Sequence, residues 1–164
     1  CIAQGETDAG VTGGGTPTVA SFTRFNQFQA SIKKDGVQLG NVTGAQLTYT
    51  NNLERIETIR SDGKIDGADP TIAALTGNIE VRFADTTLID AATDNTPLEL
   101  AFAYTIDADK SLTFTAHEVY LPKPKLAISG PGGVQATFDW QAAKATSPAR
   151  MLTVVLKNDV ASYA

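Results

Sequence analysis

The sequence predicts a mainly β protein, an antiparallel β-sandwich or small barrel carrying one short α-helix, and three stretches of chain predict it. Along residues 75–83, Leu75, Gly77, Ile79, Val81 and Phe83 fall on one side of an extended segment, and Thr76, Asn78, Glu80 and Arg82 on the other. That period of two marks a strand with one face buried. Residues 98–106 repeat the pattern, with Leu98, Leu100, Phe102, Tyr104 and Ile106 set against Glu99, Ala101, Ala103 and Thr105. Between them lies TTLIDAAT, about residues 86–94. Its Leu88, Ala91 and Ala92 make an i, i+3, i+4 apolar stripe, enough for a short helix to lie on a sheet.

The other elements follow in chain order. Residues 1–21 read as the end of a preceding portion plus a linker, since Gly13, Gly14, Gly15 and Pro17 support no regular element. Residues 22–164 form the β domain. It opens with a strand expected to place Phe28, Ala30 and Ile32 on one face. Lys34-Asp35-Gly36 is a hairpin turn, with glycine supplying the positive φ. AQLTYT follows as a strand with Ala45, Leu47 and Tyr49 inward.

Residues 51–73 are the least regular. A strand at LERIETIR runs into a polar segment holding Asp62, Gly63, Asp66, Gly67 and Asp69. The expectation is a long exposed loop, and such loops in compact domains are functional or disordered. Asp85 or Thr86 is placed to cap the helix, and Asn95 with Pro97 to end it. Asp107 to Lys110 turns the chain into the return strand SLTFTAHEVYL. LPKPKLAISGPGGV, with three prolines and three glycines, reads as an extended edge connection. VQATFDWQA alternates with Val134, Ala136, Phe138, Trp140 and Ala142 on one face, and MLTVVLKNDV closes the domain. The pattern gives about eight or nine strands, a sandwich or barrel number.

Composition narrows the function classes. A chain of 164 residues, 42% hydrophobic and 19% charged, buries a core without metal or disulfide support. No apolar run is long enough for a transmembrane helix, and no membrane partner is expected. A net charge of −5 argues against binding nucleic acid through a basic surface, because neutralising phosphates requires clustered Lys and Arg. Cys1 stands alone and makes no internal disulfide.

Each chemistry-bearing residue also has a plainer reading. Asp62, Asp66 and Gly67 match three positions of a calcium-binding loop, but Lys64 and Ala73 stand where two further ligands belong. The stretch therefore reads as a solvated turn or contact loop, and no metal is expected. His117 reads as a structural hydrogen-bonding residue, with no nucleophile placed by motif beside it. Gly130-Pro131-Gly132-Gly133 lacks the Lys and Ser/Thr of a phosphate loop. Trp140 near Phe138 reads as core volume, with a sugar-stacking platform as the alternative. Nothing argues for catalysis or a cofactor.

Two long segments carry a resemblance. FTRFNQFQASIKKDGVQLGNVTGAQLTYTNNLERIETIRSDGKIDGADPTIAALTGNIEVRFADTTLIDAA resembles the C-terminal half of tail tube proteins of long-tailed bacteriophages and prophages. SLTFTAHEVYLPKPKLAISGPGGVQATFDWQAA and MLTVVLKNDV resemble that family's closing strands. The resemblance implies a sandwich or barrel-like subunit with its helix on the flank, and no enzymatic activity. It implies six subunits joined edge to edge into a ring, with rings stacked into a tube through which phage DNA passes without sequence-specific binding. It also implies other tail proteins as partners, the virion tail as location and the bacterial host cytoplasm as place of synthesis. A loop contacting the next ring is implied too, and 51–73 is its closest match, with Asp62, Lys64, Asp66 and Asp69 as candidate contacts. The family pattern is longer, with a further β-rich portion before the linker, so the chain is expected to be a fragment. The competing reading is a non-catalytic β-sandwich module for adhesion or carbohydrate recognition.

Overall fold

The structure, a computed structural model, describes residues 23–59, 61–82, 86–124 and 134–160. These divide into two compact units, Asn51–Ala73 and the chain from Phe25 to Thr50 together with that from Ala74 onward.

The larger unit begins with a 3-10 turn at Gln27–Gln29 in place of the expected strand start. The reason is local. The Asn26 side chain accepts from the Phe28 N–H while the Gln29 side chain accepts from the Asn26 N–H, a reciprocal cap that pulls the chain out of extended form. Phe28 is consequently fully exposed rather than inward. Strand β1 (Ala30–Lys34) then turns through Asp35 (φ 48°) and Gly36 (φ 80°) into the short β2 (Val37–Gln38). Two successive positive φ values match the twist of a two-residue hairpin. Strand β3 (Val42–Thr50) pairs antiparallel with β6 (Ala74–Arg82).

Helix α1 (Thr87–Asp94) buries Leu88 and Ala92, as the stripe predicts. Thr86 occupies the N-cap position but makes no side-chain capping bond, and Asp85 lies outside the described residues. Asn95 ends the helix in the left-handed conformation (φ 51°), which Asn tolerates better than most residues. The long hairpin of β7 (Leu98–Thr105) and β8 (Ser111–Tyr120) follows, then β9 (Gln135–Ala143) and β10 (Leu152–Lys157).

These eight strands form one open, fully antiparallel sheet in the order β2-β1-β7-β8-β9-β6-β3, with β10 also on β8. One edge of β8 is thus shared. Residues 111–116 pair with β10, whereas only Glu118–Tyr120 pair with β9. Beyond those three residues β9 leaves β8, and the sheet folds over on itself. Phe102 of β7 and Trp140 of β9 prove the fold-over, with ring centroids 5.9 Å apart. In a flat sheet their register positions on β8 would lie about 20 Å apart. Between the layers lies a single core, in which Leu75, Ile79, Leu100, Val119 and Phe138 are all but inaccessible.

Gly77 sits at the tightest point. A Cβ there would lie against the Gln46 carbonyl oxygen and 2.5 Å from Trp140 Cζ2. Trp140 is 3% exposed, so the core-filling expectation holds and the stacking platform does not. Its Nε1 has no hydrogen-bond partner among the described residues, a cost the surrounding apolar burial must offset.

Replacing Gly77 with Ala should destabilise the unit by about 2–3 kcal/mol, the scale of overpacking a filled core. The check is the urea unfolding midpoint, with Thr76→Ala on the exposed face of the same strand as the near-neutral comparison.

Candidate assembly surfaces

The candidate contact residues lie in the smaller unit, Asn51–Ala73. The expected loop is partly regular: β4 (Leu53–Ile56) pairs antiparallel with β5 (Gly67–Pro70) as a separate two-stranded ribbon. The predicted strand over LERIETIR stops at Ile56, and β5 lacks the alternation that would have revealed it. Asn52 closes the base of the ribbon, its Nδ2 donating to the Ile72 carbonyl at 2.8 Å while its backbone carbonyl accepts from the Thr71 hydroxyl.

Asp62, Lys64 and Asp66 lie in the connection between β4 and β5, whereas Asp69 lies within β5. Asp62 Oδ1 accepts from the Lys64 N–H at 3.2 Å, folding the tip back on itself. The Asp66 N–H donates to the Ile56 carbonyl at 3.0 Å. Asp69 faces Glu54 across the ribbon, a like-charge pairing that weakens the two strands' hold on each other. The three carboxylates do not converge: no group of three potential metal-ligating side chains exists among the described residues. The ribbon instead presents charge beside exposed apolar groups, with Ile59 and Ile72 both almost fully accessible.

In the larger unit the notable surfaces are sheet margins. Among the described residues β3 pairs only with β6, and β10 only with β8. Each therefore presents a row of backbone N–H and C=O groups to solvent. Leu47 and Tyr49 of β3 do face the core side, opposite Gly77 and Leu75. At a margin, however, nothing covers the far side, and Tyr49 stays 48% exposed. On β10, Val154, Val155 and Leu156 are each about half exposed.

Polar side chains hold β10 in place at both ends. Near its start, His117 Nδ1 lies 3.1 Å from Glu99 Oε2 and Nε2 lies 2.7 Å from Thr153 Oγ1, joining β7, β8 and β10. This is the structural role expected of His117. Beyond its end, Lys110 Nζ contacts Asp159 at 3.2 Å and Lys157 Nζ contacts Asp109 at 3.5 Å. The Asp159 carboxylate, hydrogen-bonded by Lys110, titrates below its ordinary 3.8. Lys110, bonded by Asp159 and attracted by it and by Asp107, titrates above 10.5. Lys123 lies among the described residues, whereas Lys125, Gly130–Gly133, Cys1 and the linker lie outside them.

The sequence profile described as "Phage tail tube protein" matches residues 2–142. No curated protein matches the chain. Solved structures do match in fold. The SPP1 tail tube aligns at TM-score 0.60 and 13% identity, over 83% of this chain and 81% of its own. The tube-terminating cap of the anti-feeding prophage aligns at TM-score 0.61 and 10% identity, over 90% and 99%. The tail of the empty gene transfer agent particle, refined with C6 symmetry, aligns at TM-score 0.56 and 12% identity, over 79% and 98%. At these identities the likeness is one of fold.

Asp159→Asn should speed amide exchange in the last residues of β10 without changing the core. The pair's contribution is present above the unfolded Asp value and lost as pH falls through the lowered Asp159 value. On the alkaline side it is present below 10.5 and lost as pH rises through the raised Lys110 value. Exchange rates of wild type and variant should therefore differ at neutral pH and converge in acid, which hydrogen-exchange mass spectrometry reads directly.

Proposed function

The chain belongs to the phage tail tube protein family, and on that premise we propose that it builds the tube from stacked six-membered rings that conduct phage DNA. The family's role is structural and non-catalytic, and its place is the virion tail. The observation that carries the finer reading is that β3 and β10 have unpaired margins. A β margin left open by a monomer invites pairing with any other chain, and a closed ring of identical copies consumes it. The half-exposed apolar residues on both strands gain burial in the same step.

On this reading the ribbon 51–73 contacts the adjoining ring through Asp62, Lys64, Asp66 and Asp69, with Ile59 and Ile72 supplying apolar area. Residues 1–21 are read as the end of a preceding portion plus a linker and 22–164 as the tube domain, made in the host cytoplasm and joined by other tail proteins. Charge is consistent with a conduit. Six copies at −5 each carry roughly −30 per ring, a field that repels passing phosphate rather than trapping it.

Negative-stain microscopy of the concentrated protein should show hollow tubes. Alanine at Asp62, Lys64, Asp66 and Asp69 together should leave the fold and the single rings intact while shortening the tubes. Tubes of wild-type length from that variant would remove the contact assignment. A protein that stays monomeric at every concentration would remove the tube.

A further inference from the structure

β9 and β10 share one edge of β8, because β7 occupies the other. β9 ends with Ala143 opposite Glu118. β10 begins with Leu152 opposite Ala116, and just before it the Met151 carbonyl accepts from the His117 N–H at 3.2 Å. The two ladders therefore resume within one position of each other on β8, about 3.4 Å along the strand. Residues 144–150 make that step, a stretch that would reach roughly 23 Å if extended. The connection is far longer than its task within one molecule requires.

Few bonds keep this excursion compact. The Ala145 N–H donates to the Arg150 carbonyl at 3.2 Å, and the Arg150 N–H to the Pro148 carbonyl at 2.6 Å. Ala145 is buried, whereas 146–150 are exposed. Straightening the excursion passes those backbone groups to water, which replaces their partners at small net cost. The apolar loss is a single methyl group.

What holds β10 belongs to the β7–β8 hairpin. Its pairing runs to β8 alone among the described residues. Thr153 meets His117, Lys157 meets Asp109, and Asp159 meets Lys110, all on β8 or on the turn that precedes it. A β10 arriving from another copy would meet the same residues on the hairpin it joined. Exchange thus preserves these contacts one for one, the condition under which identical chains swap an element at low cost. The choice between own edge and neighbouring edge then falls to the connection and to local concentration, which adjoining copies raise to the millimolar range.

We propose that in the assembled tube each copy lays its β10 on the β8 edge of an adjoining copy, with 144–150 spanning the boundary. The proposal rests on the tube-subunit reading and adds the element that crosses between copies. Donor strand and recipient edge are different surfaces, so the exchange is head-to-tail and continues from copy to copy instead of stopping at a pair. Each subunit is then held by a piece of its neighbour's fold, and cannot leave without that strand being stripped away.

The test uses Cys1→Ser protein carrying both Thr113→Cys and Val155→Cys, two positions directly opposite each other on β8 and β10. Directly opposed residues of an antiparallel pair lie within disulfide reach. Oxidised as a dilute monomer, each molecule should close its own bridge and run as a single chain on non-reducing denaturing gels. Tubes assembled from reduced protein and then oxidised should instead run as covalent multimers. Bridges confined to single chains in those tubes would overturn the exchange. So would the loss in tubes of a bridge that forms in the monomer. In a second arm the protein is bridged before assembly, which fixes β10 on its own β8 and leaves the β3 and β10 margins unchanged. This protein should lose tube formation and regain it on reduction. Unimpaired assembly of the bridged protein would overturn the exchange and leave the tube standing, whereas absence of tubes from the Cys1→Ser parent strikes the tube reading itself.

Discussion

The hydrogen-bonded edge that β8 divides between two partners governs the rest of the larger unit. Had β9 followed β8 along its whole length, the result would have been a flat sheet with one wet and one uncovered apolar face. Pairing confined to Glu118–Tyr120 lets β9 carry β6 and β3 away as a second layer, and β10 fills the vacated edge. The core exists because of that divergence: Phe102 and Trp140 meet only when the layers are stacked. Gly77 makes room for its cross-strand neighbour Trp140, whose indole lies where a side chain at that position would be.

This division also creates the open margins. A sheet that closed on itself would have none. Here the strand order ends at β2 and β3, with β10 as a further margin on β8, and both β3 and β10 carry apolar side chains that the monomer leaves half covered. The core and the open margins are thus two results of one pairing pattern. The polar contacts of His117 and of Lys110 with Asp159 compensate for the small apolar area that β10 buries by itself.

Much of the fold was legible wherever one strand face is buried and the other wet. Residues 74–82, 98–105 and 135–143 obey a period of two because their environment does, and α1 was visible through Leu88 and Ala92. The pattern failed where that two-sidedness is missing. Around Phe28 a capping exchange between Asn26 and Gln29 overrode the alternation. The ribbon of β4 and β5 has no buried residue among those described, so its Gly-Ala-Asp-Pro strand left no hydrophobic trace. At the margins the inward direction of Leu47 and Tyr49 was readable, but not their exposure, which depends on what lies beyond the last strand. Which strand faces pair with which is likewise a property of the fold-over, and no local window contains it.

The order in which the strands are synthesised has a consequence for the living cell. Ala30 on β1 finds its partner at Tyr104, and β6 its second neighbour only in β9. Such distant pairings fold slowly and keep an emerging chain unfinished on the ribosome. β10 comes after every other described strand, so the margin it offers appears only when the rest of the described sheet has been made. Copies made side by side thus cannot pair through that strand until the other strands of the described sheet have been made.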